Sequence, residues 1–328
     1  MKVYQREAKP EGDYTITQAT QEKVISQNNV LFWFPGVLVT GRKTHYLKEN
    51  LGYLEGALED KSGAANIFAV AYNRARDNER SLKNTNADVN YSNEEAQAFV
   101  EQYLLPMIHD QKQITLVGYS YGASFIEMTR RVLVKKLRDS LFSDEDINKM
   151  LQNVMVINIS GVSTEQPGTM AEPNFTTVRF DSQQDTIGST LNAAVGKYQQ
   201  LLHGKGLSDE IVVRPISTNR VQVSIPIKPE GAIAPRYNKE SRKTELLPHD
   251  PEKHGVPGHK LVYYVHPNDA TYPGGVEMVR KTLQYAVSRQ GPPVDMLPYL
   301  TNLMRRCVPD ERTWTVYVRN SSSANRIR

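Results

Sequence analysis

The sequence predicts an α/β protein with a mostly parallel central sheet and helices on both faces. Three observations carry this. Short continuous apolar runs recur between Val30 and Phe180, each the length of a strand buried on both sides. Stretches of helical periodicity, roughly 12 to 20 residues long, separate them. And 328 residues of 39% hydrophobic content supply enough apolar material for a sizeable core.

The elements follow in order. The first 28 residues are polar, with Pro10, Gly12 and Asp13 among them, and read as an arm. Val30–Phe34 is the first buried strand and stops at Pro35-Gly36. Thr44–Leu58 is helical. Ile67–Tyr72 is the second strand, followed by a polar loop, Asn73–Asn90. Ser92-Asn-Glu-Glu95 has the S-x-x-E form of a capping box. Behind it Ala96, Phe99, Val100, Tyr103, Leu104 and Met107 make one apolar stripe facing a sheet. Ile114–Gly118 is the third strand, with a long helix from Tyr121 to Ser140 and a shorter one from Asp144 to Asn153. Val154–Ile159 and Thr177–Phe180 are the fourth and fifth strands.

Beyond about residue 190 the pattern changes. Ile211–Ile216 and Val221–Ile225 read as a hairpin joined at Thr218-Asn219-Arg220; Val221, Val223 and Ile225 alternate with Gln222 and Ser224, as in a half-exposed strand. From Pro226 to Gly258 six prolines sit among many charges, which reads as an irregular excursion, either a solvated loop or a lid. Gly275–Ser288 is the last core helix, Trp314–Val318 a late strand and Asn320–Arg328 a frayed tail. The expected organisation is an arm (1–28), a main domain (29–290) carrying a lid-like insertion (190–258), and a C-terminal extension with its tail (291–328).

Composition excludes several classes. A net charge of +4 is too mild to demand nucleic acid, and the 17 tyrosines show no nucleic-acid pattern. The single cysteine, Cys307, forbids an intramolecular disulfide and a cysteine-cluster zinc site, and fits a reducing compartment. Val30–Gly41 is uncharged, but at 12 residues with Pro35 inside it is too short to span a bilayer. The charged N-terminus lacks the apolar region of a signal peptide. A soluble, cytoplasmic chain is expected. There is no H-E-x-x-H, no paired-cysteine pattern and no Walker loop around Gly196-Lys197-Tyr198, so neither metal nor cofactor is implied. Arg130, Arg131, Lys135, Lys136 and Arg138 read as a solvated helix face in preference to a peripheral contact with an anionic surface.

Gly118-Tyr119-Ser120-Tyr121-Gly122 is G-x-S-x-G, with a buried strand directly before it and a helix directly after. Such a turn puts the serine in a strained backbone conformation. It also lifts the hydroxyl above the sheet, and the helix N-terminus favours developing negative charge. The flanking glycines are required because side chains there would meet the neighbouring strand and helix. An ordinary βα turn is the alternative.

With that motif in that context, the chain resembles the α/β-hydrolase superfamily, in particular its lipase, esterase and thioesterase branches. The resemblance covers about Asn29 to Arg289 by pattern, and Gly118–Ala123 specifically. It implies a serine, then an acid, then a histidine along the chain. The acid is expected in the turn after the Thr177–Phe180 strand, where Asp185 leads and Asp181 is the runner-up. Of seven histidines, His45 and His109 fall out by order, and His203 and His249 read as surface residues. His259 leads, at the point where the irregular segment gives way to an apolar run, with His254 and His266 as alternatives. The implied oxyanion donors are the N–H of Tyr121 and that of Gly36 or Val37, since Pro35 has none. Here the chain departs from the His-Gly-Gly form of many esterases. The implied reaction is hydrolysis of a small-molecule ester or thioester through an acyl-enzyme. A peptidase or amidase of the same fold, and a non-catalytic protein that uses the fold for binding, are the alternatives.

Overall fold

The apolar runs become strands that lie side by side. In the structure, a computed structural model, residues 1–8, 14–36, 44–61, 63–72, 93–161, 173–182, 210–217, 219–227, 233–238, 243–248, 261–267, 271–272, 274–320 and 323–327 are described. Among these, β3 (Asn29–Phe34), β4 (Asn66–Ala71), β5 (Gln113–Tyr119), β6 (Val154–Ile159), β7 (Thr176–Asp181) and β9 (Arg220–Ser224) form a parallel array in the order β9-β7-β6-β5-β3-β4. Antiparallel flanks extend it on both sides. On one, β8 (Ile211–Ser217) pairs antiparallel with β9; β12 (Trp314–Asn320) runs parallel to β8, and β13 (Ser323–Ile327) pairs antiparallel with β12 as the edge strand. On the other, β1 (Lys2–Ala8) pairs antiparallel with β4, and β2 (Tyr14–Gln18) with β1. The described residues therefore hold one 11-stranded, mixed sheet with a parallel centre.

Side chains alternate across each strand, so the sheet feeds two cores. Leu31, Trp33, Val117, Ile157 and Phe180 point to one face, beneath α2 (Thr44–Leu58), α7 (Leu261–Val265), α8 (Gly275–Ser288) and α9 (Met296–Cys307). Phe32, Phe34, Leu116 and Val156 point to the other. That face lies under α1 (Gln21–Ile25), α3 (Asn93–Phe99), α4 (Leu105–His109), α5 (Tyr121–Asp139) and α6 (Asp144–Leu151). The six-residue stripe from Ala96 to Met107 is buried in this second core as its spacing predicts. Between α3 and α4 the turns widen into a π-helical stretch, Val100–Leu104. Pro106 explains the break: it has no N–H to return to the Gln102 carbonyl, which instead accepts from Gln21 Nε2 at 3.0 Å.

Four expectations are corrected. The described part of the polar opening segment, expected as an arm before the domain, forms β1, β2 and α1 and joins the sheet itself. Asn320–Arg328 is not a frayed tail, since Ser323–Ile327 pairs with β12. The excursion after Pro226 is not irregular throughout: β10 (Ile233–Asn238) and β11 (Lys243–Pro248) make a separate antiparallel hairpin within it. Finally, the β8–β9 hairpin is not half exposed. All five residues of β9 are buried, because its polar face meets other polar side chains instead of water.

The amino ends of the central strands are closed by one residue. Arg289, just past α8, is buried; it donates from Nη2 to the carbonyls of Ile114 (3.0 Å) and Asn153 (2.8 Å). Its Nη1 donates to Thr115 Oγ1 (2.8 Å) and to the Ala286 carbonyl. Burial brings its pKa down to about 10, which still leaves it charged at neutral pH. No helix among the described residues is long and apolar enough to cross a membrane.

Candidate active site

Strand order locates the site. From β3 the chain crosses to β4 on one side, and from β5 it crosses to β6 on the other. The chain therefore moves in opposite directions from the carboxyl ends of these two neighbouring strands, the switch-point arrangement at which open α/β sheets generally bind ligands. Their helices lie on opposite faces, α2 on one and α5 on the other, as crossovers of one hand require. Phe34 is in register with Gly118, so Pro35-Gly36 and Tyr119-Ser120 emerge together at this point.

Ser120 occupies the N-cap of α5 with φ 53° and ψ −120°, a conformation that L-residues with side chains rarely adopt. Holding it there costs about 1–3 kcal/mol, which the packing around it must offset. Its N–H donates to the Ile159 carbonyl of β6 at 3.2 Å, and its carbonyl accepts from Ala123 at 3.2 Å. Its side chain makes no capping hydrogen bond to the helix. The flanking glycines are explained by contact. A Cβ on Gly118 would lie 2.8 Å from the Ala123 nitrogen, and one on Gly122 would overlap the Phe34 carbonyl oxygen. At Gly36 a Cβ would lie 3.1 Å from Ser120 Cβ, so the backbone after β3 abuts the serine directly.

Aromatic packing holds this corner together. Phe125, on the second turn of α5, stacks on Phe34 (5.5 Å) and on Tyr72 (4.5 Å between ring centroids). The Tyr72 hydroxyl donates to the Pro35 carbonyl at 2.6 Å. On the opposite face Tyr119 stacks on Trp33, at 6.2 Å and 11° between planes.

The other flank of α5 is ionic and buried. Glu127 receives Arg130 (Nη2 to Oε1, 2.6 Å), Arg131 (3.3 Å) and Arg220 of β9 (3.1 Å). Burial works against the carboxylate, but the Arg130 hydrogen bonds and the three positive charges hold its pKa below the ordinary value. Arg130 is 1% exposed and also donates to the Pro173 carbonyl, so it does not belong to the solvated face expected for it. Lys135, Lys136 and Arg138 do lie at the surface, ion-paired with Asp139, Glu101 and Asp144. Further along the same face Asp181, at the carboxyl end of β7, accepts from Ser224 (2.9 Å) and Gln222, and pairs with Arg179 (3.1 Å). Gln222 accepts in turn from Arg214 at 2.7 Å. Between the two groups lies a cavity of about 10 Å³, bounded by Ala123, Asn158, Arg179 and Arg220, with room for one water.

Of the expected site residues, Ser120, Tyr121 and Gly36 come together here. Val37, Asp185, His254 and His259 lie outside the described residues. Asp181 lies two strands from β5, engaged as above, and His266 is exposed beside the Pro267 carbonyl. Tyr72 and the Glu127 network are the neighbours that sequence reasoning missed. The only trace of the network was the alternation of Arg179, Asp181, Arg220, Gln222 and Ser224 with apolar residues, a pattern that solvent exposure produces equally well. A larger cavity, about 670 Å³, opens at the amino ends of β3 and β5 near Asn29, Lys112 and Arg289. It is at the opposite end of the sheet from Ser120, where switch-point chemistry is not sited. Among the described residues no group of three or more His, Cys, Asp or Glu side chains is placed to hold a metal ion. No protein-family model matches the chain, and no curated protein matches it.

Proposed function

We propose that this chain is a serine hydrolase of the α/β-hydrolase kind, cleaving an ester or thioester of a small molecule. One observation carries the reading: Ser120 is held at φ 53° on a strand-to-helix turn, at the switch point of a parallel sheet and against Gly36. Backbone strain of this sort persists where the surrounding structure enforces it, and it clusters at catalytic turns. The helix that begins at Tyr121 adds its N-terminal partial positive charge.

In the proposed reaction Ser120 Oγ attacks the acyl carbonyl while His259 takes its proton, and Asp185 orients the imidazole. The oxyanion is met by the N–H groups of Tyr121 and Gly36. His259 then protonates the leaving alcohol or thiol, and water repeats the attack on the acyl-enzyme. Asp185 is preferred to Asp181 because the Asp181 carboxylate is already engaged by Ser224, Gln222 and Arg179.

The test is the intact mass of the protein after treatment with a fluorophosphonate, wild type beside Ser120→Ala. A single adduct on wild type alone is the expected result. A folded wild type that stays unlabelled would sink the proposal and favour a binding role for the fold.

A further inference from the structure

We propose that Tyr72 is a positioning residue for the oxyanion donor at Gly36; this rests on the hydrolase reading above. Tyr72 follows β4, is 3% exposed, and donates its hydroxyl hydrogen to the Pro35 carbonyl at 2.6 Å. Pro35 and Gly36 share one peptide plane. In a trans peptide the N–H points opposite to the carbonyl, so anchoring the Pro35 oxygen fixes the direction of the Gly36 N–H. The need for an anchor is local. The regular ladder of β3 ends at Phe34, and Pro35 has no N–H with which to bind a neighbouring strand. Gly36, with the widest backbone freedom of any residue, would otherwise leave that plane free to rotate.

The anchor is itself braced. The Tyr72 ring stacks on Phe125 at 4.5 Å and 24°, and Phe125 lies on the second turn of the helix that carries Ser120. One aromatic stack therefore ties the plane of the Gly36 amide to the helix whose first N–H, that of Tyr121, is the other donor. The two halves of the oxyanion site come from different strands, and Tyr72 is where their relative orientation is set.

Removing a whole oxyanion donor costs about 100- to 1,000-fold in rate. Tyr72→Phe keeps the ring and its stack and removes only the anchor. It is expected to lower kcat on a p-nitrophenyl ester by about 10- to 100-fold and leave KM unchanged. Affinity for a trifluoromethyl ketone, which adds to serine as an oxyanion, should fall in parallel. A purely structural role would shift the unfolding midpoint without that parallel loss. Wild-type kcat and ketone affinity in a folded Tyr72→Phe protein would overturn the proposal. Should that variant not fold, 4-fluorophenylalanine at position 72 fills the place of the hydroxyl but cannot donate to the Pro35 carbonyl. Its kcat is then expected to fall by the same factor, and an unchanged kcat overturns the proposal. Failure of the hydrolase reading looks different: wild-type Ser120 itself stays unlabelled by fluorophosphonate, and the positioning role falls with it.

Discussion

The two ends of β5 are built on opposite terms. At its amino end the backbone is fully provided for, because the Arg289 guanidinium takes up the carbonyls of Ile114 and Asn153 and the hydroxyl of Thr115. At its carboxyl end the backbone is forced: Ser120 sits at positive φ, wedged between Gly36 and the turn into α5. The first arrangement gives buried carbonyls a charged donor, while the second holds a residue with a side chain at positive φ on the turn itself. A strand carrying both sets a charged donor against buried carbonyls at one end and a constrained turn at the other.

The sharpest break of that contrast is Gly122→Ala. Its Cβ would overlap the Phe34 carbonyl, a backbone atom that cannot rotate away. A loss of more than about 3 kcal/mol is expected in urea unfolding, and a wild-type midpoint would show that the crossing of α5 over β3 is looser than described. Arg289→Met comes next. It strands buried carbonyls and should cost about 2 kcal/mol. Fluorophosphonate reactivity of Ser120 in the folded protein should stay within two-fold of wild type, roughly a seven-residue strand away. A large loss of reactivity would mean that the two ends are coupled. The smallest effect has the opposite sign. Ser120→Gly removes the side chain that makes φ 53° costly, so the protein should gain about 1 kcal/mol while labelling is abolished. A Ser120→Gly protein less stable than wild type would argue that the turn carries no strain to release.

How much of this was legible in the sequence follows from what each element buries. Strands β3 to β6 and the α3 stripe announced themselves, because a strand covered on both faces is typically an apolar run and a helix on a sheet repeats every three to four residues. The tight turn at Ser120 was legible from its two glycines between a buried strand and a helix, where Ala123 and Phe34 leave no room for a side chain. By contrast, β1 buries only Val3 among its described side chains, and the sequence of β13, Ser-Ala-Asn-Arg-Ile, lacks an apolar run. Such edge strands are held by ladder hydrogen bonds, which leave no mark on composition. The polar face of β9 misled for a related reason, since alternation records which residues are polar and not whether water reaches them. Tyr72 was visible only as the last residue of an apolar run; its hydroxyl found a use through Pro35, 37 positions away.

The order of the sheet also sets a timetable. β8 has β9 on one side and on the other only β12, which pairs with it from Trp314 onward, about a hundred residues later. During synthesis the whole parallel centre can assemble while that side of β8 remains an open row of N–H and C=O groups, the kind of edge through which nascent chains mispair. β12 is therefore what covers that border: until it is made, the folded turn at Ser120 coexists with an adhesive flank on β8.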